Sequence, residues 1–192
     1  MGITGIVVVV VLAVGALLAL VVIGYYNSFV TKRNMSEQAF STIDVMLKKR
    51  CDLVPNLVAT AKQYMTHENE TLTQIAAFRS RITDPKASPD SRVAANNQMN
   101  RLIGDIMVQV EKYPDLKANQ NFTELGRTLN DLEEQLSAAR RTFNAAVTSF
   151  NNSVEMFPGS LVANSFGFKR LALLEIPAED RKNPDVHALF NR

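Results

Sequence analysis

The chain begins with an apolar block. Ile6–Ile23 is a run of eighteen residues without a charge, amide or hydroxyl. After it, apolar residues recur at helical spacing among many charges. The block reads as a helix in lipid. At about 1.5 Å per residue, Ile3–Tyr26 covers about 36 Å, enough to cross a ~30 Å hydrocarbon core. Fourteen of its eighteen core positions are Val, Ile or Leu, which together favour insertion by roughly 4–8 kcal/mol. Tyr25 and Tyr26 follow where rings with polar tips mark a membrane–water boundary. A buried strand would be far shorter, and a cleaved signal would start with basic residues, which Met1–Gly5 lacks. Ile6 stands where a myristoylation start needs Ser or Thr. Residues 1–26 are therefore expected to form an uncleaved transmembrane anchor.

Strand signals are nearly missing before residue 160, while the helical period is strong. Phe122, Leu129, Leu136, Phe143, Phe150 and Phe157 recur every seven residues. Leu125, Leu132, Ala139 and Ala146 fill a second position until Ser153 breaks the series. A repeat held this long predicts left-handed packing on partner helices, as in a bundle or coiled coil. Asn121, with Glu124 three residues on, suits the start of this helix, and Pro158-Gly159 suits its end. The helix before it is anchored by Ser88 as cap, Pro89 in the first position and Asp90 at the positive end of the dipole. Val93, Leu102, Ile103, Ile106 and Val110 mark its buried face, and Tyr113-Pro114-Asp115 ends it.

A third tract, Ser36–Ile82, places Phe40, Ile43, Leu47, Val54, Leu57, Ala61, Leu72, Ile75 and Ile82 on one face. Pro55 lies inside it and is expected to kink or break it, leaving one bent helix or two. Whether the anchor runs into this tract without a break stays open. The predicted architecture is all-α: an anchor at 1–26, an antiparallel helical bundle at 27–157 with three long helices, and an irregular tail at 158–192. In the tail, Gly167, Pro177 and Pro184 interrupt the short clusters Leu171–Leu174 and Ala188–Phe190.

Charge adjusts this picture only locally. Twenty-one basic and nineteen acidic side chains give +2, which argues against nucleic acid as a partner. Lys32–Arg50 carries net +3 and Arg101–Glu134 net −3. The basic stretch, with Lys32, Arg33, Lys48 and Lys49, could meet anionic lipid headgroups or neutralise the acidic helix. Its place after the span puts the large domain in the cytoplasm by the positive-inside rule. Cys51 is the only cysteine, so no intrachain disulfide forms.

Reactive constellations are scarce. His67-Glu68 opens like a zincin helix, but Thr71 stands where a second His is needed. There is no paired Glu-x-x-His for di-iron, no phosphate-binding glycine loop, no nucleophile elbow and no paired-cysteine site. No catalytic residue, metal or cofactor is expected. Five polar residues fall on or beside the core faces: Arg50, Asp52, Asn56, Glu68 and Arg140. A buried charge is costly unless paired, so these are read as an internal network that fixes helix register, in preference to a ligand site. Asn144 and Asn151, each following a Phe of the repeat, are either interhelical hydrogen-bonding groups or solvated flanks.

At these residues the chain resembles the LemA family of bacterial membrane proteins. The strings are Tyr26-Asn27, the run Lys49–Val58 around Asp52-Leu53-Val54-Pro55-Asn56, His67-Glu68, Tyr113–Asn119, Phe122, Ala139-Arg140-Arg141, Phe143-Asn144, Phe150-Asn151, Phe157-Pro158 and Phe166-Gly167-Phe168. Phe143 and Phe150 depart from a frequent Tyr, so no phenol hydrogen bond carries over, and Phe78 stands where a small residue is usual. The resemblance implies a helical bundle on one N-terminal span, without an established activity, and relatives associated with bacterial organelle membranes. Three functions follow as expectations. The first is a self-associating membrane scaffold or interaction protein, with the bilayer, a second copy and an unidentified membrane protein as partners. Gly15-x-x-x-Ala19 is a weak close-packing pattern in its favour. The second is a lipid-binding or membrane-remodelling protein. The third is an enzyme whose polar residues (Arg50, Asp52, His67, Glu68, Arg140) converge on an accessible cleft.

Overall fold

The computed structural model describes residues 2–65 and 69–174. The His67-Glu68 pair and the Ala188–Phe190 cluster lie outside the described residues. Among those described, all regular structure is helical: α1 Ile3–Lys62, α2 Asn69–Ile82, α3 Pro89–Gln109, a 3-10 turn at Val110–Lys112, α4 Pro114–Lys117, α5 Gln120–Glu155 and α6 Gly159–Phe166. The apolar block and the first amphipathic tract are thus one helix.

Pro55 does not break α1. Its ring lies on the exposed side, and the carbonyl it cannot bond, that of Cys51, accepts from Arg79 Nε of α2 at 2.8 Å. A donor from the neighbouring helix thus replaces the missing N–H. The break comes later, where Tyr64 and Met65 N–H both donate to Ala61 O at 3.0 and 2.8 Å. The tract is therefore two helices, α1 and α2.

The described chain divides into two compact units. The bundle unit holds Ser41–Arg141 and Leu174. Asp44 pairs with Arg92, and Arg50 with Asn100, so α1 and α3 run parallel here. Arg140 reaches Asn97 while Glu133 meets Arg50, which makes α5 antiparallel to α3. With α2 returning by short connections, the order is up-down-up-down. Ile43, Leu47, Val54, Leu57, Ala61, Leu72, Ile75 and Ile82 are all buried, with Met65, Met99, Ile103 and Ile106. Ser88 Oγ accepts from Ser91 N at 3.2 Å and caps α3 as its sequence indicates. The cap of α5 is Asn119, whose Oδ1 accepts from Phe122 N at 3.2 Å, and not Asn121. A cap lies three residues before the N–H it accepts, and the apolar Phe122 occupies that place.

The aromatic unit holds Met1–Phe40 and Thr142–Leu173. Phe29, Phe150, Val154, Val162 and Ala163 form its core, flanked by Val22, Tyr25, Phe168 and Leu171. Phe40 meets Phe143 edge-on at 5.7 Å, while Phe29 shares the core with Phe150, so α1 and α5 are antiparallel. Two expectations are corrected. Phe157 is 80% exposed instead of continuing the packing stripe. α5 ends at Glu155, and an α-helix drifts about 20° per heptad, so Val147, Asn151 and Val154 take over the buried face. The tail also begins with a helix, α6, closed by Gly167 at φ 74°, with Phe168 N–H donating to Ala163 O at 2.9 Å.

Candidate functional site

The polar cluster of the bundle unit is built on Arg50. It sits one turn from Leu47 and from Val54, so its side chain must point into the core, and it is 1% exposed. Its Nη1 donates to Glu133 Oε2 and its Nη2 to Asn100 Oδ1. Arg140, also 1% exposed, donates to Asn97 Oδ1 at 2.8 Å and lies 3.6 Å from Glu133 Oε1. One carboxylate thus bridges two buried guanidinium groups and joins α1 to α5. The amides of Asn97 and Asn100 bring α3 into the same group. Beside them, Asn96 is wholly buried with neither amide atom hydrogen-bonded among the described residues.

Burial, and next the charge of Arg140, pull the Arg50 guanidinium down to about 10. It still carries its charge at neutral pH. Burial pushes the Cys51 thiol up to about 11, so it is protonated there and a poor nucleophile. The group can fix register between helices. Its two guanidinium groups are closed to solvent, while the Glu133 carboxylate between them is partly exposed.

The five residues expected to share a polar network do not all meet. Arg50 and Arg140 converge on Glu133. Asp52 and Asn56 are exposed, which corrects their place in a buried network: core positions 43, 47, 50, 54, 57 and 61 define one face of α1, and 52 and 56 turn away from it. Asn56 instead lines an open groove of about 500 Å³ with Thr60, Asn121, Glu124 and Thr128. Glu68 lies outside the described residues. Sequence reasoning missed Glu133, Asn97 and Asn100. Glu133 follows the core residue Leu132 and stands three before Leu136, the same signal that marked Arg140 beside Ala139.

Of the lysines and arginines considered for lipid headgroups, Lys32 is half-buried and Arg33 is exposed and pairs with Glu37 at 3.2 Å. Lys48 and Lys49 are exposed in the bundle unit. The apolar run itself has none of its most apolar window buried by the rest of the chain.

A helix long and apolar enough to cross a membrane, a helical bundle and an internal arginine–glutamate cluster define a class compatible with membrane anchoring. Residues 39–187 match the LemA family, and the chain belongs to it. It is similar to Protein LemA of Metamycoplasma hominis, 27% identical over 171 residues, covering 89% of this chain and 78% of that protein. It is also similar to Magnetosome protein MamQ of Magnetospirillum gryphiswaldense, 24% identical over 181 residues, covering 81% of this chain and 66% of that one. Magnetosome protein MamQ 2 of Paramagnetospirillum magneticum shows the same identity and coverage. The chain therefore spans just under two thirds of the magnetosome relatives' length.

Proposed function

We propose that this chain is a membrane-anchored helical scaffold or interaction protein that self-associates, does no chemistry of its own, and holds its bundle on the cytoplasmic side. One contrast carries the reading: an apolar surface is left outside, while the two arginines of the polar cluster are buried. Ile6–Val21 is exposed throughout, and nothing lies within 4 Å of where a side chain on Gly15 would start, so the Gly15-x-x-x-Ala19 face is open to another helix. The surplus length of α5 over α3 gives no separate support for a second copy, because α1 and α6 cover its end within the aromatic unit. An enzyme working through Arg50 and Arg140 would need them in an accessible cleft, and both are buried. The reported names, Protein LemA and Magnetosome protein MamQ, are not those of enzymes.

Particle mass in mild detergent, by light scattering on the intact chain, tests self-association. A multimer that shifts toward monomer in Gly15→Leu supports it. A monomer at every protein concentration rejects it.

A further inference from the structure

The aromatic unit leaves an apolar surface uncovered next to the anchor. From Met156 to Phe168 the chain carries no Asp, Glu, Lys, Arg or His. Within that stretch α6 buries Gly159, Val162 and Ala163. Met156, Phe157, Leu161 and Phe166 face outward, at 62%, 80%, 62% and 54% exposure.

Its position along α1 says what covers it. A Cβ on Gly159 would lie 3.3 Å from Phe29 Cζ and 3.4 Å from Tyr25 Cδ1. Phe166 meets the Tyr26 ring at 5.1 Å, and Phe168 meets it at 5.6 Å. Val22, inside the apolar run, packs on the same core. α5 runs antiparallel to α1, and Phe150 stands level with Phe29. The end of α5 at Glu155 and the turn after it therefore lie on the side of Phe150 nearer the run. Tyr25 and Tyr26 are the residues that mark the membrane boundary. Basic side chains follow at once: Lys169 is exposed, and Arg170 forms an exposed pair with Glu155, at the end of α5, at 3.1 Å.

We infer that the α5–α6 turn and α6 form a second lipid contact, an interfacial foot that lies in the headgroup–acyl boundary beside the span. The inference rests on the anchor reading and extends it. Phe157 in the turn and Leu161 and Phe166 on α6 offer the apolar side chains that enter an acyl boundary, and Lys169 and Arg170 just after α6 the basic ones that stay at the headgroups. With the foot seated, the chain has two attachments to the bilayer, and the aromatic unit cannot swivel freely about the span.

The intact protein, reconstituted in vesicles of phosphatidylcholine and phosphatidylglycerol, tests this. A bimane label is placed singly at Phe157→Cys, Phe166→Cys, Leu12→Cys in the span and Val108→Cys on the bundle. Native Cys51 is buried and stays unlabelled. Quenching by nitroxide attached to lipid headgroups or upper acyl chains is compared with quenching by aqueous iodide. Most of the fluorescence at Phe157→Cys and Phe166→Cys should be lost to the lipid quencher, and Val108→Cys should respond only to iodide. Iodide quenching at 157 and 166, with lipid quenching of Leu12→Cys, overturns the foot and leaves the anchor. No lipid quenching at any position removes both. Shielding of 157 and 166 from both quenchers means that another protein copy covers the surface, and also overturns the foot. Should labelled variants misfold, the unlabelled chain in the same vesicles is treated with chymotrypsin at protein-to-lipid ratios low enough for one copy per vesicle: protection of Phe166 there supports the foot, and cleavage overturns it.

Discussion

The two units draw on the same two helices, α1 and α5, yet they separate inside from outside in opposite ways. The bundle unit buries two arginines and shows only Val45 and Val108 as large exposed apolar residues among those described. Among its described residues the aromatic unit buries no charged side chain, and the polar ones it buries are Ser36 and Asn151. The remaining large exposed apolar residues lie in it, from the Ile6–Ile23 run to Phe166. A single helix can thus carry two solvent codes in succession. The bundle unit keeps an arginine–glutamate cluster in its interior, whereas the aromatic unit leaves apolar surface outside, an arrangement that water penalises and lipid does not.

Removing Glu133 should break this contrast most severely. Glu133→Gln leaves the Arg50 and Arg140 guanidinium groups without their shared counter-charge, and the expected loss is about 3–4 kcal/mol. Hydrogen exchange should show lost protection first at the α1–α5 contacts around Arg50. A change below about 1 kcal/mol would mean the cluster is not a structural joint.

Gly159→Ala addresses the other unit. A Cβ there would come within 2.5 Å of Ser153 O, a backbone atom that cannot swing away. The expected cost is about 1–3 kcal/mol, with exchange rising at α6 and in Val154–Phe157 while the Arg50 region keeps its protection. Equal loosening of both units would contradict their separation.

Much of this was legible beforehand. The apolar run, the buried face of α1 and α2 and the Ser88 cap follow from composition and period alone, because burial repeats with the helix. Arg50 and Arg140 were visible as charges on core faces. Their counter-charge was not, because Glu133 lies 83 residues from Arg50 and only the packing joins them. Asp52 and Asn56 were misplaced because nearness to Pro55 outweighed helical angle. α6 was missed because Pro158, Gly159 and Gly167 punctuate a stretch too short to show a period. The cross-connection that holds the segment after it was also unseen: Asn151 donates to Leu171 O and accepts from Leu171 N, both at 2.9 Å.

Smaller effects sharpen the picture. The Cys51 thiol titrates near 11 when folded, against an ordinary value of 9.0, because burial opposes the thiolate. Its contribution to stability is therefore intact below pH 9.0 and is lost as pH rises through about 11. Denaturant titrations across that window should show the native chain losing about 1–2 kcal/mol relative to Cys51→Ala. Parallel curves would mean the thiol is not buried in solution. At the surface, Arg33→Ala breaks an exposed pair with Glu37 and should change stability by less than about 0.5 kcal/mol.

The central claim is that the apolar start of α1 is embedded in a bilayer while the bundle folds beside it. Membranes from cells expressing the intact chain, washed with high salt and then alkaline carbonate, test it directly. The account expects the full-length polypeptide to stay in the pellet and to leave only with detergent. Recovery of the uncleaved chain in the wash would contradict it.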